Sequence, residues 1–215
     1  MRYLFLSVFL IATISCKFNS KNETDLVKNH FNEKERKDLA QIISFVDSLV
    51  LINNRYSDIG SAYHYYLDSV YKLLDTGKLV DIAFDEESKY DFLFNLDSTL
   101  FKKIWIKSTT STMVKTKDTI LYNPDNFIRI ELNTRGSYMD LIRELGVNNP
   151  NYKDIYESCE IAGGLSPSLL TTFLNQNEKY DFELFHNHLW AAIFLLTLED
   201  SVDKKVSRYL KNRSS

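Results

Sequence analysis

The sequence predicts an α+β fold that is mainly α: a helical, bundle-like domain with a small antiparallel β insertion near residues 105–133. Three observations lead there. Apolar residues recur at helical spacing through most of the chain, whereas only one region alternates with period two. The 215 residues include only three Pro and six Gly, too few punctuators for a turn-rich sandwich or barrel. The hydrophobic fraction is 44% and the charged fraction 26%, so a chain of this length can bury one substantial core without staples.

Asn32 has the chemistry of an N-cap, and charged residues follow from Glu33 to Lys37. Leu39, Ile42, Ile43, Val46, Leu49 and Val50 then fall on one face of a helix of about twenty residues. A second helix carries Tyr63, Tyr66, Leu67, Val70, Leu73 and Leu74, with Gly77 as its stop signal. A third begins near Asp85, where Glu86 and Glu87 suit a first turn, and breaks around Asn95 to Ser98.

From about Trp105 the character changes. Thr and Ser become dense, and Lys115 to Asp118 reads as a turn. In "FIRIELN", Ile128, Ile130 and Leu132 alternate with Arg129 and Glu131, the pattern of a half-buried strand. "TILYN" before Asn123-Pro124 is a second short strand. Together they predict a small antiparallel sheet or hairpin among helices.

Helix resumes at Ser137–Leu145, with Tyr138, Leu141, Ile142 and Leu145 on one side and Gly146 as the stop. Asn149-Pro150 and Ser166-Pro167 each pair an N-cap with proline at the first helical position, where its missing N–H costs nothing. Gly163-Gly164 ends the first of these helices, and the second runs to about Asn175. The final helix is expected from near Asp181. It is apolar all round between Leu189 and Leu198, which marks the central buried helix.

The first residues differ from the body. Arg2 precedes an apolar stretch from Tyr3 to Ile14, broken only by Ser7 and Thr13. Those 12 residues rise about 18 Å as a helix, short of a hydrocarbon core of roughly 30 Å, so a cleaved export signal fits better than a spanning helix. The stretch ends in Thr13-Ile14-Ser15-Cys16, which resembles the lipobox of bacterial lipoproteins. Ile14, Ser15 and Cys16 match that pattern; Thr13 stands where Leu is usual. The resemblance covers sixteen residues. It implies a signal peptide over 1–15, cleavage before Cys16, and a lipidated Cys16 as the new N-terminus. It also implies the outer membrane rather than the inner, because Lys17 and not Asp follows the cysteine. Two or more acyl chains give stable anchoring where one is marginal.

Residues 16–31 are then expected as a lipidated cysteine and a flexible tether, and 32–215 as one globular domain. A tether of Lys17 to His30 spans about 20 Å root-mean-square. With Cys16 lipidated, Cys159 is the remaining thiol, and its step with Tyr152, Ile155 and Tyr156 makes it a core residue.

Function is less legible. Net charge is −3, so nucleic acid is not an expected partner. The basic C-terminus (Lys204, Lys205, Arg208, Lys211, Arg213) reads as a solvated helix end, and Asp85-Glu86-Glu87 as a solvated helix face. His186 and His188 are the metal-ligand candidates by residue type, but i and i+2 on a helix point about 200° apart, which opposes a shared ion. His64 reads as a helix-face histidine. Gly163-Gly164-Leu165-Ser166 matches neither a phosphate loop nor a nucleophile elbow. Tyr63, Tyr65, Tyr66 and Tyr71 cannot all face one core, leaving Tyr65 and Tyr71 as a candidate binding surface. No cofactor is expected beyond the covalent lipid. The reading is a non-enzymatic envelope binding module, with the membrane as one partner and an envelope protein or glycan as the other. The alternatives are an envelope hydrolase whose residues converge only in space and an immunity- or inhibitor-type lipoprotein.

Overall fold

A computed structural model describes residues 25–52, 56, 58–75, 85–109, 113–122 and 127–213. Cys16, the signal segment and Gly77 lie outside these residues. The fold is mainly helical with a small antiparallel β component, as the periodicity predicts.

A short helix over residues 25–30 (α1) leads into α2 (Glu33–Val50). Asn32 caps α2 through a reciprocal pair: its side chain accepts from the Glu35 N–H at 3.0 Å, and Glu35 accepts from the Asn32 N–H at 2.9 Å. Residues 25–31 correct the expected tether. Val27 and Phe31 are buried in the core, so folded structure begins before Asn32. Two apolar residues four apart are one helical face, and that face is covered.

α3 (Ile59–Asp75) buries Tyr63, Leu67 and Val70, while Leu73 is turned out. Asp85 caps α4 (Glu86–Asn95) by accepting from the Ser88 N–H. The expected break follows: α4 ends at Asn95, and Asp97 caps α5 (Ser98–Ile104).

The β insertion forms two two-stranded antiparallel sheets. β1 (Trp105–Thr109) pairs with β4 (Ile128–Leu132), Trp105 opposite Leu132 and Thr109 opposite Ile128. β2 (Met113–Lys115) and β3 (Ile120–Tyr122) form a hairpin. Thr116 closes its turn, the backbone N–H donating to Thr119 O at 2.8 Å and the hydroxyl accepting from the Thr119 N–H at 3.0 Å.

Then come α6 (Ser137–Leu145), α7 (Pro150–Ala162), α8 (Pro167–Asn175), a 3-10 turn at Asn177–Lys179, α9 (Phe185–Thr197) and α10 (Val202–Arg213). Gly163 ends α7 at φ 72°, a left-handed conformation that suits glycine. Every residue from Leu189 to Leu198 is buried, which places α9 at the centre with α2 along it. Each large apolar side chain there contributes about 1.5–3 kcal/mol through burial. The Trp105 indole donates to Thr197 Oγ1 at 2.9 Å and ties β1 to this helix.

Two boundaries differ from expectation. α9 starts at Phe185 because residues 182–184 form a turn, in which the Leu184 N–H donates to Asp181 O. The chain also breaks between α9 and α10. Leu198 leaves the helical region, and Ser201 starts a new helix by accepting from the Lys204 N–H at 3.3 Å. Cys159 is fully buried, as its spacing predicts, and burial pushes its thiol up to about 12.

Candidate binding cleft

Helical spacing builds the site. Glu86, Tyr90 and Phe94 stand at i, i+4 and i+8 on α4, one above the other. Lys205, Tyr209 and Arg213 repeat that spacing on α10, with Arg208 beside them. Phe127 and Ile128 enter from the start of β4. Among the described residues these groups line a cleft of about 450 Å³, within the range of small-ligand sites.

The floor is ionic. Lys205 is 7% exposed; its amine lies 3.0 Å from Glu86 Oε1 and pairs with Glu199. The same amine donates to the Tyr90 hydroxyl at 2.9 Å and to Ile128 O at 3.1 Å. Arg208 pairs with Asp200 and with Glu86 Oε2, the latter at 3.1 Å. Glu199 Oε1 accepts from the Ile130 N–H at 2.9 Å, and the Lys89 amine stands 3.6 Å from the same oxygen. Lys89 itself is 2% exposed and donates to Leu198 O at 2.7 Å, closing the end of α9.

Three carboxylates (Glu86, Glu199, Asp200) thus face three cations (Lys89, Lys205, Arg208). Each of these groups is paired and hydrogen-bonded, the condition under which buried charge is tolerated, and the exposed Lys204 adds a further cation 3.1 Å from Asp200. Burial, with the Glu199 and Glu86 charges, pushes the Tyr90 phenol well above its ordinary range and keeps it a donor. Burial pulls the Lys89 amine below its ordinary value, against the opposing pull of Glu199 and Glu86.

The walls are aromatic. Phe94 lies against Tyr90 with centroids 5.7 Å apart and planes 29° apart. Phe127 meets Tyr209 edge to face at 6.4 Å. Phe94 is 41% exposed and is shared with a second recess of about 590 Å³, lined also by Phe101, Trp105 and Ile106. Lys107 places its amine 4.5 Å from the Phe94 ring on that side. Phe127 and Lys205 are shared with a third recess of about 320 Å³ beside β2.

The readings of Glu86, Lys205 and Arg208 as solvated require correction, whereas Lys204, Lys211 and Arg213 are exposed as expected. Glu86 and Lys205 are buried against each other, and Arg208 is half-buried. One helix alone cannot show this, because each charge is neutralised by an element distant in sequence.

The histidines sit elsewhere and apart. His186 is buried against the Tyr152 ring at 5.5 Å, and burial draws it down to about 4 despite the charge of Asp181. His188 bonds through Nε2 to Asp47 Oδ1 at 2.7 Å, and the Tyr63 hydroxyl donates to the same oxygen at 2.8 Å. His64 meets Asn177 Oδ1 at 2.7 Å, joining α3 to the 3-10 turn. Tyr65 is exposed beside Tyr56, and Tyr71 is half-buried against the core. Neither lines the cleft.

Helical spacing puts Tyr90 and Phe94 on one helix, whereas no local pattern singles out Phe127, Glu199 or Tyr209. The nearest signal is the repeated i, i+4, i+8 run of charged and aromatic residues on α4 and α10. Compared with known protein families, characterised proteins and solved structures, the chain shows no significant match to any.

Proposed function

We propose that the protein is a lipid-anchored binding module of a bacterial cell envelope, held through Cys16 and taking its ligand in the aromatic cleft. One observation carries the binding role: aromatic walls stand over a floor whose charges are already satisfied by one another. Such a floor is rigid and offers contact area without a group poised to give or take a proton. Phe94 is one of four aromatic residues, with Tyr90, Phe127 and Tyr209, that line this one concavity, and clustering of apolar area rather than exposure of one ring is what marks a binding surface. The lipobox resemblance supports the anchor. Among the described residues, no helix is long and apolar enough to cross a membrane.

A hydrolase reading has one observation in its favour, the Asp47–His188 pair. That Asp47 oxygen is shared with Tyr63, and neither Asp47 nor His188 lines any of the three recesses.

The test uses the soluble chain from residue 17 onward, isotopically labelled at aromatic positions. Envelope extracts separated into polar, peptide and lipid pools are titrated in and followed by NMR. The proposal expects shifts at Tyr90, Phe94, Phe127 and Tyr209 from at least one pool, lost in Phe94→Ala. Shifts confined to other surfaces, or none, contradict it.

A further inference from the structure

We infer that the cleft recognises a neutral saccharide unit, an assignment that rests on the binding role proposed above. A sugar ring presents two kinds of surface. Its C–H face is apolar and flat, and its edge is a belt of hydroxyls that both donate and accept. A site for it therefore needs an aromatic plate, with acceptors and donors beside the plate and little net field.

The plate is Phe94. It is 41% exposed; Tyr90 backs it at 5.7 Å, and the Lys107 amine, 4.5 Å from the ring centroid, is the flexible group that a stacking ligand would displace or bond. The acceptors are Glu87 and Asp91, one turn apart on α4 at the cleft rim. Like charges at i, i+4 destabilise a helix, and among the described residues neither carboxylate has an ion pair or side-chain hydrogen bond. The rest of the cleft's carboxylates do. Donors come from α10: Arg213 also lines the cleft and spends one N–H on the Tyr209 hydroxyl at 3.0 Å, while a guanidinium carries five.

The charge pattern selects against ionic ligands. An anion such as phosphate would find Arg213 but also Glu87 and Asp91 in the same lining, and Lys205 and Arg208 are already paired with Glu86, Glu199 and Asp200. A quaternary ammonium would find aromatic faces but also Lys205, Arg208 and Arg213 in the same lining. A neutral ligand rich in hydroxyls pays neither repulsion. The volume of about 450 Å³ suits a small unit and not a folded partner.

The test titrates the soluble chain from residue 17 onward with cellotetraose, chitotetraose, maltotetraose and mannotetraose. Choline, inorganic phosphate and an anilinonaphthalene dye run in parallel. The inference expects saturable binding of at least one oligosaccharide with shifts at Phe94 and Tyr209 and weak salt dependence. Phe94→Ala should weaken it about fivefold or more, and Glu87→Gln with Asp91→Asn should weaken it while the unfolding midpoint holds or rises. Unchanged oligosaccharide affinity in Phe94→Ala overturns the inference. Binding in the cleft by choline, phosphate or dye alone also overturns it, yet leaves the binding module standing. A cleft silent to every probe and to the envelope extracts overturns both.

Discussion

Lys205 and Glu86 meet at 3.0 Å in a buried contact that joins the last helix of the chain to α4, 119 positions earlier by their numbers (205 − 86). The pair is the keel of the cleft. It sets the spacing between the α4 and α10 stripes, and therefore between Phe94 and Tyr209.

Removing Lys205 should be costly. In Lys205→Ala, buried Glu86 and half-buried Glu199 are left with one fewer cation, and breaking a buried pair from one side costs about 3–5 kcal/mol. Lys37→Ala is the contrast. That lysine makes a surface i, i+4 pair with Glu33 at 3.0 Å, both groups largely exposed, where about 0.5 kcal/mol is expected. Urea unfolding of both variants measures the difference. Similar midpoints for the two would mean that the ionic floor does not hold the C-terminal helix.

Two glycines should behave differently. A Cβ on Gly136 would lie 2.2 Å from the backbone oxygen of Lys103, where neither side can yield cheaply. Gly136→Ala should therefore cost more than about 2 kcal/mol by forcing α6 away from the end of α5. Gly163 has open space around its Cβ position, so Gly163→Ala bears only the left-handed backbone, about 1 kcal/mol. Thermal or urea denaturation ranks them. A reversed order would contradict the packing described at Gly136.

Acid should act through His186. Burial holds it at about 4 in the folded chain, against about 6.5 when unperturbed. As pH falls, the unfolded state takes the proton first. Above pH 6.5 the ring is neutral in both states and has no effect. Between about 6.5 and 4 it removes stability progressively, of order 3 kcal/mol in all, and below 4 the loss levels off. His186→Gln should flatten that part of the stability curve. Parallel curves for the two proteins would show that the ring is not held neutral.

Much of the fold was legible because its signals are local. Asn32, Asn149 and Ser166 each cap a helix as their chemistry predicts, α4 starts beside Asp85 as expected, and Gly163 takes the left-handed conformation. The apolar circumference of residues 189–198 located the central helix. The α1 segment is not legible because three apolar residues, Leu26, Val27 and Phe31, over less than two turns carry little period. The α9–α10 break was missed because Glu199 and Asp200 read as ordinary helix surface. The cleft was hidden for a different reason. Its residues lie on α4, at the start of β4 and on α10, and no periodicity within one segment reports that three segments meet. Tyr65 and Tyr71 were chosen by a helical-wheel argument, which finds exposure and cannot find concavity.

The proposed role requires that the body be held at a membrane through Cys16. Metabolic labelling with radioactive palmitate, followed by membrane fractionation of wild type and Cys16→Ser, tests this most directly. The account predicts label and membrane retention in the wild type and loss of both in the variant. An unlabelled wild type recovered in the soluble fraction would contradict the anchor and leave a freely diffusing protein in its place.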